Sequence, residues 1–165
     1  MKYRGFTTRS AKETQKIAAA LAKKIEKKGS TLDLKKGRTL KRALVIGLEG
    51  ELGAGKTTFI KGFARALGVR EKILSPTFVL MKTHKLGKSA IHLPENHKFL
   101  IHIDAYRLKD HQDLASLGIK EILENPENII LIEWSDRVEK ILPKQYMKIH
   151  MDHIEENIRK IRVLT

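Results

Sequence analysis

Gly50-Glu51-Leu52-Gly53-Ala54-Gly55-Lys56-Thr57-Thr58 fits G-x-x-x-x-G-K-[ST] without a gap, and this stretch constrains the fold more than any other. Such a loop needs a buried strand before it and a helix after it. Ala43-Leu44-Val45-Ile46 reads as a buried parallel strand, and Thr57 to Leu67 as a helix stopped by Gly68. Small residues let successive backbone N–H groups turn inward around a polyphosphate, and the helix adds the positive end of its dipole. Glu51, Leu52, Gly53, Ala54, Gly55 and Thr58 then line the phosphates. In this pattern Lys56 reaches the β- and γ-phosphates and the Thr57 hydroxyl ligates Mg²⁺. The chain has no Asn-Lys-x-Asp guanine-reading motif, which disfavours a GTPase.

The 165 residues are read as a single domain, 1–165, long enough to bury a core without staples. Hydrophobic residues make up 41% and charged residues 32%, a globular balance. No apolar run approaches a membrane span and the start lacks a signal-peptide core, so no membrane association and a cytoplasmic location are expected. The absence of cysteine agrees with a reducing compartment. A formal net charge of +14 attracts any polyanion, and the basic residues cluster at 23–28, 35–42 and 158–162. These runs read either as solvated faces or as a surface for RNA or an acidic protein. No aromatic is interleaved with them, so they form no stacking platform.

A first helix is expected from Ser10, where Ser10 and Glu13 have capping-box spacing and Ile17, Leu21 and Ile25 share a face. Ser75-Pro76 opens an expected strand at Thr77-Phe78-Val79-Leu80-Met81. The segment from His84 to His97 reads as a long surface excursion. Strands follow at Phe99–Ile103 and Asn128–Glu133, separated by short helical pieces around Gln112–Leu117 and Lys120–Leu123. Met147, Ile149 and Met151, then Ile161 and Val163, alternate with polar residues around a turn at Glu155-Glu156-Asn157, which predicts a terminal antiparallel hairpin. The fold class is therefore α/β: a three-layer P-loop NTPase-like domain with a mixed, mostly parallel sheet and a C-terminal hairpin.

An NTPase also needs acids at the carboxyl ends of strands beside the loop. Asp104 and Glu133 are each the first acid after an apolar strand. Spacing leaves open which binds metal and which prepares water. His102 reads as a packed, hydrogen-bonded histidine. Trp134 is either a core filler or an aromatic anchor beside the site, and Arg107 either a surface ion pair or a charge over the phosphates.

Gly50 to Thr58, Ser75-Pro76-Thr77-Phe78, His102-Ile103-Asp104-Ala105-Tyr106-Arg107-Leu108 and Ile132-Glu133-Trp134, in that order, resemble the motif set of the TsaE (YjeE) family. The resemblance extends over nearly the whole chain. It implies an ATPase that supports synthesis of threonylcarbamoyladenosine (t6A) in tRNA by hydrolysing ATP in complex with TsaD–TsaB. By position it implies that Lys56 and the loop amides hold the phosphates, that Thr57 and Glu133 ligate Mg²⁺, and that Asp104 serves catalysis. Thr77 would belong to a switch-like segment, with Tyr106, Arg107 and Trp134 near the nucleotide or the partner. An adenine contact is expected near the start of the first helix. The chain departs from the family pattern in the long His84 to His97 segment and in Ala105, where a larger apolar residue is customary. The alternatives are a small-molecule P-loop kinase, against which stands the lack of an Arg-rich lid, and a basic RNA-binding module with a structural nucleotide.

Overall fold

A computed structural model describes residues 3–28, 42–76, 79–87, 98–108 and 112–164. In chain order the elements are β1 (Tyr3–Thr8), α1 (Ala11–Lys28), β2 (Leu44–Glu49), α2 (Lys56–Ala66), β3 (Met81–Lys85), β4 (Phe99–Asp104), α3 (Gln112–Ala115), α4 (Ile119–Glu124) and β5 (Asn128–Glu133). A 3-10 segment (Ser135–Ile141), β6 (Met147–His153) and β7 (Arg159–Leu164) complete the chain. Among the described residues the strands form one sheet in the order β1-β7-β6-β2-β5-β4-β3. β2 pairs parallel with β5 and β6, and β4 with β5. The antiparallel pairings, β1–β7, β6–β7 and β3–β4, lie outside that centre.

Strand periodicity explains the layers. On β2, Leu44, Ile46 and Leu48 join one core with Ala18, Phe59, Phe63 and Leu131, whereas Val45 joins a second with Ile101, Ile103, Ile130, Ile132 and Leu114. α1 and α2 therefore cover one face, and α3, α4 and the 3-10 segment the other. The period of two that sends Leu100 and Ile129 toward α2 sends Asp104 and Glu133 the same way. Both acids thus emerge on the face that carries the phosphate loop.

α1 begins as the Ser10/Glu13 spacing predicts. Ser10 Oγ accepts the Glu13 amide at 3.1 Å, and the Glu13 carboxylate accepts the Arg9 amide at 2.7 Å. Ala18, Ala22 and Ile25 are its buried apolar positions among the described side chains, with Ile17 and Leu21 packed at their flank. α1 meets α2 at Gly62, where an added Cβ would lie 2.4 Å from the Gln15 carbonyl oxygen. Gly62→Ala is therefore expected to destabilise the fold by about 1–3 kcal/mol, despite the better helix propensity of alanine. The check is denaturant unfolding, with a lower midpoint and an unchanged slope.

Three expectations need correction. The strand expected over Thr77–Met81 starts only at Met81: the amides of Val79 and Leu80 turn back onto the Pro76 carbonyl at 2.9 and 2.6 Å, and Leu80 has a φ of 61°. Thr77 and Phe78 lie outside the described residues. His84 and Lys85 belong to β3, opposite Leu100 and Phe99, because the ladder with β4 continues past the point where composition turns polar; of the expected excursion, 88–97 lie outside the described residues. β1, absent from the sequence reading, is held by register with β7 and not by apolar alternation of its own.

Candidate active site

The loop between β2 and α2 turns on glycines in conformations that other residues rarely adopt, with φ of 131° at Gly50, 79° at Gly53 and 97° at Gly55. The first main-chain bond after it runs from the Phe59 amide to the Gly55 carbonyl at 2.9 Å. As at any helix start, the amides of Lys56, Thr57 and Thr58 have no carbonyl below them. Ala54 is fully buried, anchoring the loop, while Glu51 and Gly53 are exposed and Leu52, at its tip, is 74% exposed. Lys56 is folded back: its Nζ donates to the carbonyls of Gly50 at 2.6 Å and Glu51 at 2.9 Å and sits 3.7 Å from the centre of the Trp134 ring. Burial holds its ammonium below the ordinary lysine pKa, against the opposing fields of Glu133, Asp104 and Asp136.

Two carboxylates stand opposite each other on adjacent parallel strands, Asp104 on β4 and Glu133 on β5. Their partners differ. Glu133 receives the Thr57 hydroxyl, placed between its two oxygens at 3.0 and 2.9 Å, and the Nε2–H of the buried His102 at 2.8 Å. Asp104 receives the Ser75 hydroxyl at 2.6 Å and the Tyr106 amide at 3.0 Å. The two described non-glycine residues with positive φ, Leu80 and Trp134, both tie this region together. The Leu80 carbonyl accepts the Asp104 amide at 3.0 Å, and the Trp134 amide donates to the Leu48 carbonyl at 2.8 Å.

Aromatic and cationic side chains edge the loop. Tyr106 and Trp134 pack with ring centres 5.0 Å apart, and Arg137 lies over both rings while donating to the Tyr106 carbonyl at 2.7 Å. Arg159, at the start of β7, donates from Nε to the Gly53 carbonyl at 3.2 Å and from Nη1 to carbonyls of the 155–158 turn. It ties the tip of the loop to the terminal hairpin. A cleft of about 630 Å³ opens beside the loop among Gly50, Glu51, Trp134, Asp136 and Met151.

A sequence model of the family described as "Threonylcarbamoyl adenosine biosynthesis protein TsaE" matches residues 8–161. The chain belongs to the TsaE family. A TsaE from Bacillus subtilis is 38% identical over 117 residues, 71% of this chain and 66% of that protein's length. The match thus spans a little under two-thirds of that relative. A TsaE from a Nostoc species is 37% identical over 141 residues, 82% of this chain and 80% of the relative. Both are named tRNA threonylcarbamoyladenosine biosynthesis proteins. The crystal structure of YdiB from Bacillus subtilis superposes with a TM-score of 0.69 at 28% identity, covering 98% of this chain and 84% of that one.

In this TsaE chain, Lys56, Thr57, Asp104 and Glu133 all meet at the phosphate loop, with Gly50 to Thr58 forming the turn itself. Thr77 lies outside the described residues. His102 is packed and hydrogen-bonded, as its place inside an apolar strand indicates, and its partner is Glu133. Trp134 stands beside the site, against Lys56, and Arg107 is exposed beyond Tyr106. Sequence reasoning missed Arg159 and Arg137. Arg159 lies in a basic run whose local pattern gives no sign that one guanidinium reaches a loop 106 residues away in sequence. Arg137 follows Trp134 by one helical turn, and that spacing was the available signal.

The donor set fits the groups that the family implies. A hydroxyl and a carboxylate are the hard oxygen ligands that Mg²⁺ takes, and an ammonium resting on its own loop's carbonyls is a cation available to phosphate. No helix among the described residues is long and apolar enough to cross a membrane.

Proposed function

We propose that the chain is a Mg²⁺-dependent ATPase that serves t6A formation in tRNA by hydrolysing ATP in complex with TsaD–TsaB in the cytoplasm. The observation that carries this reading is the Thr57 hydroxyl resting on both oxygens of Glu133 while Lys56 folds onto the loop carbonyls. Lys56 exchanges those carbonyls for the β- and γ-phosphate oxygens, and the free amides at the start of α2 receive the rest of the phosphate charge. Thr57 and Glu133 would hold Mg²⁺, which would neutralise charge on the phosphates. His102 keeps the Glu133 carboxylate aimed at Thr57. Asp104, fixed by Ser75 and the Tyr106 amide, orients the attacking water and accepts its proton.

Two features support dependence on a partner. Arg159 has donors committed to backbone carbonyls, and Arg137 is turned onto Tyr106. The remaining positive charge over the transferred phosphoryl group is then supplied from outside. Trp134, Tyr106 and the exposed Leu52 offer an apolar rim at the mouth of the loop for that contact.

Asp104→Asn is expected to leave ATP affinity within about threefold of the parent and lower hydrolysis by about 10²-fold, the lower range for a lost general base. Paired ATP-binding and phosphate-release assays check it. Arg159→Ala should loosen the loop tip and weaken ADP binding by about two- to fivefold, the range of one exposed charge-assisted bond, with little change in melting temperature; calorimetric titration checks the first and a thermal melt the second. The function itself is tested by t6A formation over several turnovers in a mixture of this protein, TsaD–TsaB, tRNA and ATP. ATP-dependent turnover that needs this chain is the expected result, and its absence contradicts the proposal.

A further inference from the structure

A second concavity, of about 330 Å³, shares no lining residue with the cleft at the phosphate loop. Gln15 of α1, Lys61 and Arg65 of α2, and Arg70, Glu71 and Lys72 of the connection after α2 line it. At about 1.5 Å of rise per residue, Arg65 stands about 14 Å along α2 from Lys56. A ligand here is separated from the phosphates of a bound nucleotide.

The charges are one-sided. α2 contains no acid at all, and Lys61 and Arg65 are one turn apart, so they repel each other. Glu71 is the one acid on the lining, and it is already held by His84 Nδ1 at 2.6 Å and Lys82 Nζ at 3.4 Å. Lys61, Arg65, Arg70 and Lys72 have no acidic partner among the described residues. A surface built only for solubility interleaves the two signs; this one gathers four cations around a hollow, and its one carboxylate is turned to His84 and Lys82 instead of to them.

We propose that Lys61, Arg65, Arg70 and Lys72 form a docking site for the phosphodiester backbone of tRNA, separate from the nucleotide site. An acidic protein is the poorer fit. Protein contacts are anchored by apolar or aromatic side chains in pockets, and the apolar residues of this lining, Val69 and Ile73, are buried. With no aromatic on the lining there is no stacking of bases, so recognition is of the backbone. The choice of tRNA among RNAs rests on the proposed place of the chain in t6A formation. The site also adjoins the connection that runs through Ile73 and Leu74 to Ser75, whose hydroxyl holds Asp104. RNA seated there lies next to the catalytic segment without entering the phosphate loop.

The test is fluorescence anisotropy of a labelled, unmodified tRNA transcript over a salt series. It uses the parent protein, Lys61→Glu/Arg65→Glu, and a charge-matched control, Lys120→Glu/Lys144→Glu, at exposed positions outside the cleft. The α2 pair is expected to weaken tRNA binding tenfold or more at about 0.1 M salt and to reduce the slope of log affinity against log salt by about 1.4–1.8, the loss of two phosphate contacts. The control should change affinity less than about threefold under the same screening. ADP affinity should be unchanged in both. Should the α2 pair fail to fold, Arg70→Ser/Lys72→Ser carries the same expectation. Equal weakening by patch and control pairs, absence of tRNA binding by the parent protein, or displacement of tRNA by polyglutamate as readily as by a second RNA overturns the site. A chain that binds tRNA as expected but gives no ATP-dependent turnover with TsaD–TsaB keeps this site and loses the proposed function.

Discussion

Lys56→Ala is expected to lower ATP affinity and hydrolysis by 10²-fold or more while leaving the fold intact. The magnitude follows from removing a preorganised charge that meets the phosphates in a site shielded from water, about 10²–10³ for one such donor. The expectation about stability follows from the state of Lys56 without nucleotide. The residue is 4% exposed, and burial depresses the pKa of its ammonium despite three nearby carboxylates. Its Nζ donates to the carbonyls of Gly50 and Glu51, residues at the rim of the cleft, which water can serve in its absence. Alanine therefore removes a desolvated charge along with two hydrogen bonds, and the melting temperature should move by only a few degrees. Loss of binding with an unchanged melt assigns the effect to phosphate recognition; joint loss of both would show that Lys56 holds the loop together instead.

Glu133→Gln should have the second largest effect, and a different signature. The amide oxygen of glutamine can still accept from Thr57 or His102, but the negative charge that a divalent cation requires is gone. Hydrolysis is expected to fall by about 10²-fold or more, and the dependence of nucleotide affinity on Mg²⁺ to flatten, with metal-free ADP affinity retained. Measuring ADP binding with and without Mg²⁺ separates this from a general loss of binding. The side chain is 4% exposed and is shared by Thr57 and His102. Glu133→Ala would leave both without an acceptor, and it is the less informative variant.

The parts of the fold read correctly from sequence are those whose signals are local. The β2–loop–α2 unit is written in consecutive residues, glycines at positions of positive φ and an unbroken apolar strand before them. β4 and β5 are apolar runs that end in an acid. Because both strands are parallel to β2, their carboxyl ends reach the same edge as the loop, so the strand-end rule was enough to nominate Asp104 and Glu133. It did not separate their partners. That Thr57 reaches Glu133, and Ser75 reaches Asp104, depends on how α2 and the 70–76 connection sit on the sheet, which no local pattern encodes. β1 was missed for the same reason, since Tyr3-Arg4-Gly5-Phe6-Thr7-Thr8 becomes a strand only by pairing with β7. The run from Val79 to Met81 has the residues of a strand, yet the Pro76 carbonyl captures two of its amides first. Arg159 shows the limit most plainly, because one residue of an alternating basic strand turns to brace the phosphate loop while its neighbour Lys160 faces solvent.

The central claim is that the Gly50 to Thr58 loop closes around a triphosphate whose cation is shared by Thr57 and Glu133. A crystal structure of the protein grown with Mg²⁺ and a non-hydrolysable ATP analogue tests it directly. Lys56 Nζ is expected to have moved from the Gly50 and Glu51 carbonyls onto the phosphates, with Mg²⁺ bound by the Thr57 hydroxyl and held by Glu133 directly or through one water, and Asp104 facing the γ-phosphate. An empty loop at saturating analogue, or a cation bound away from Thr57 and Glu133, would contradict it.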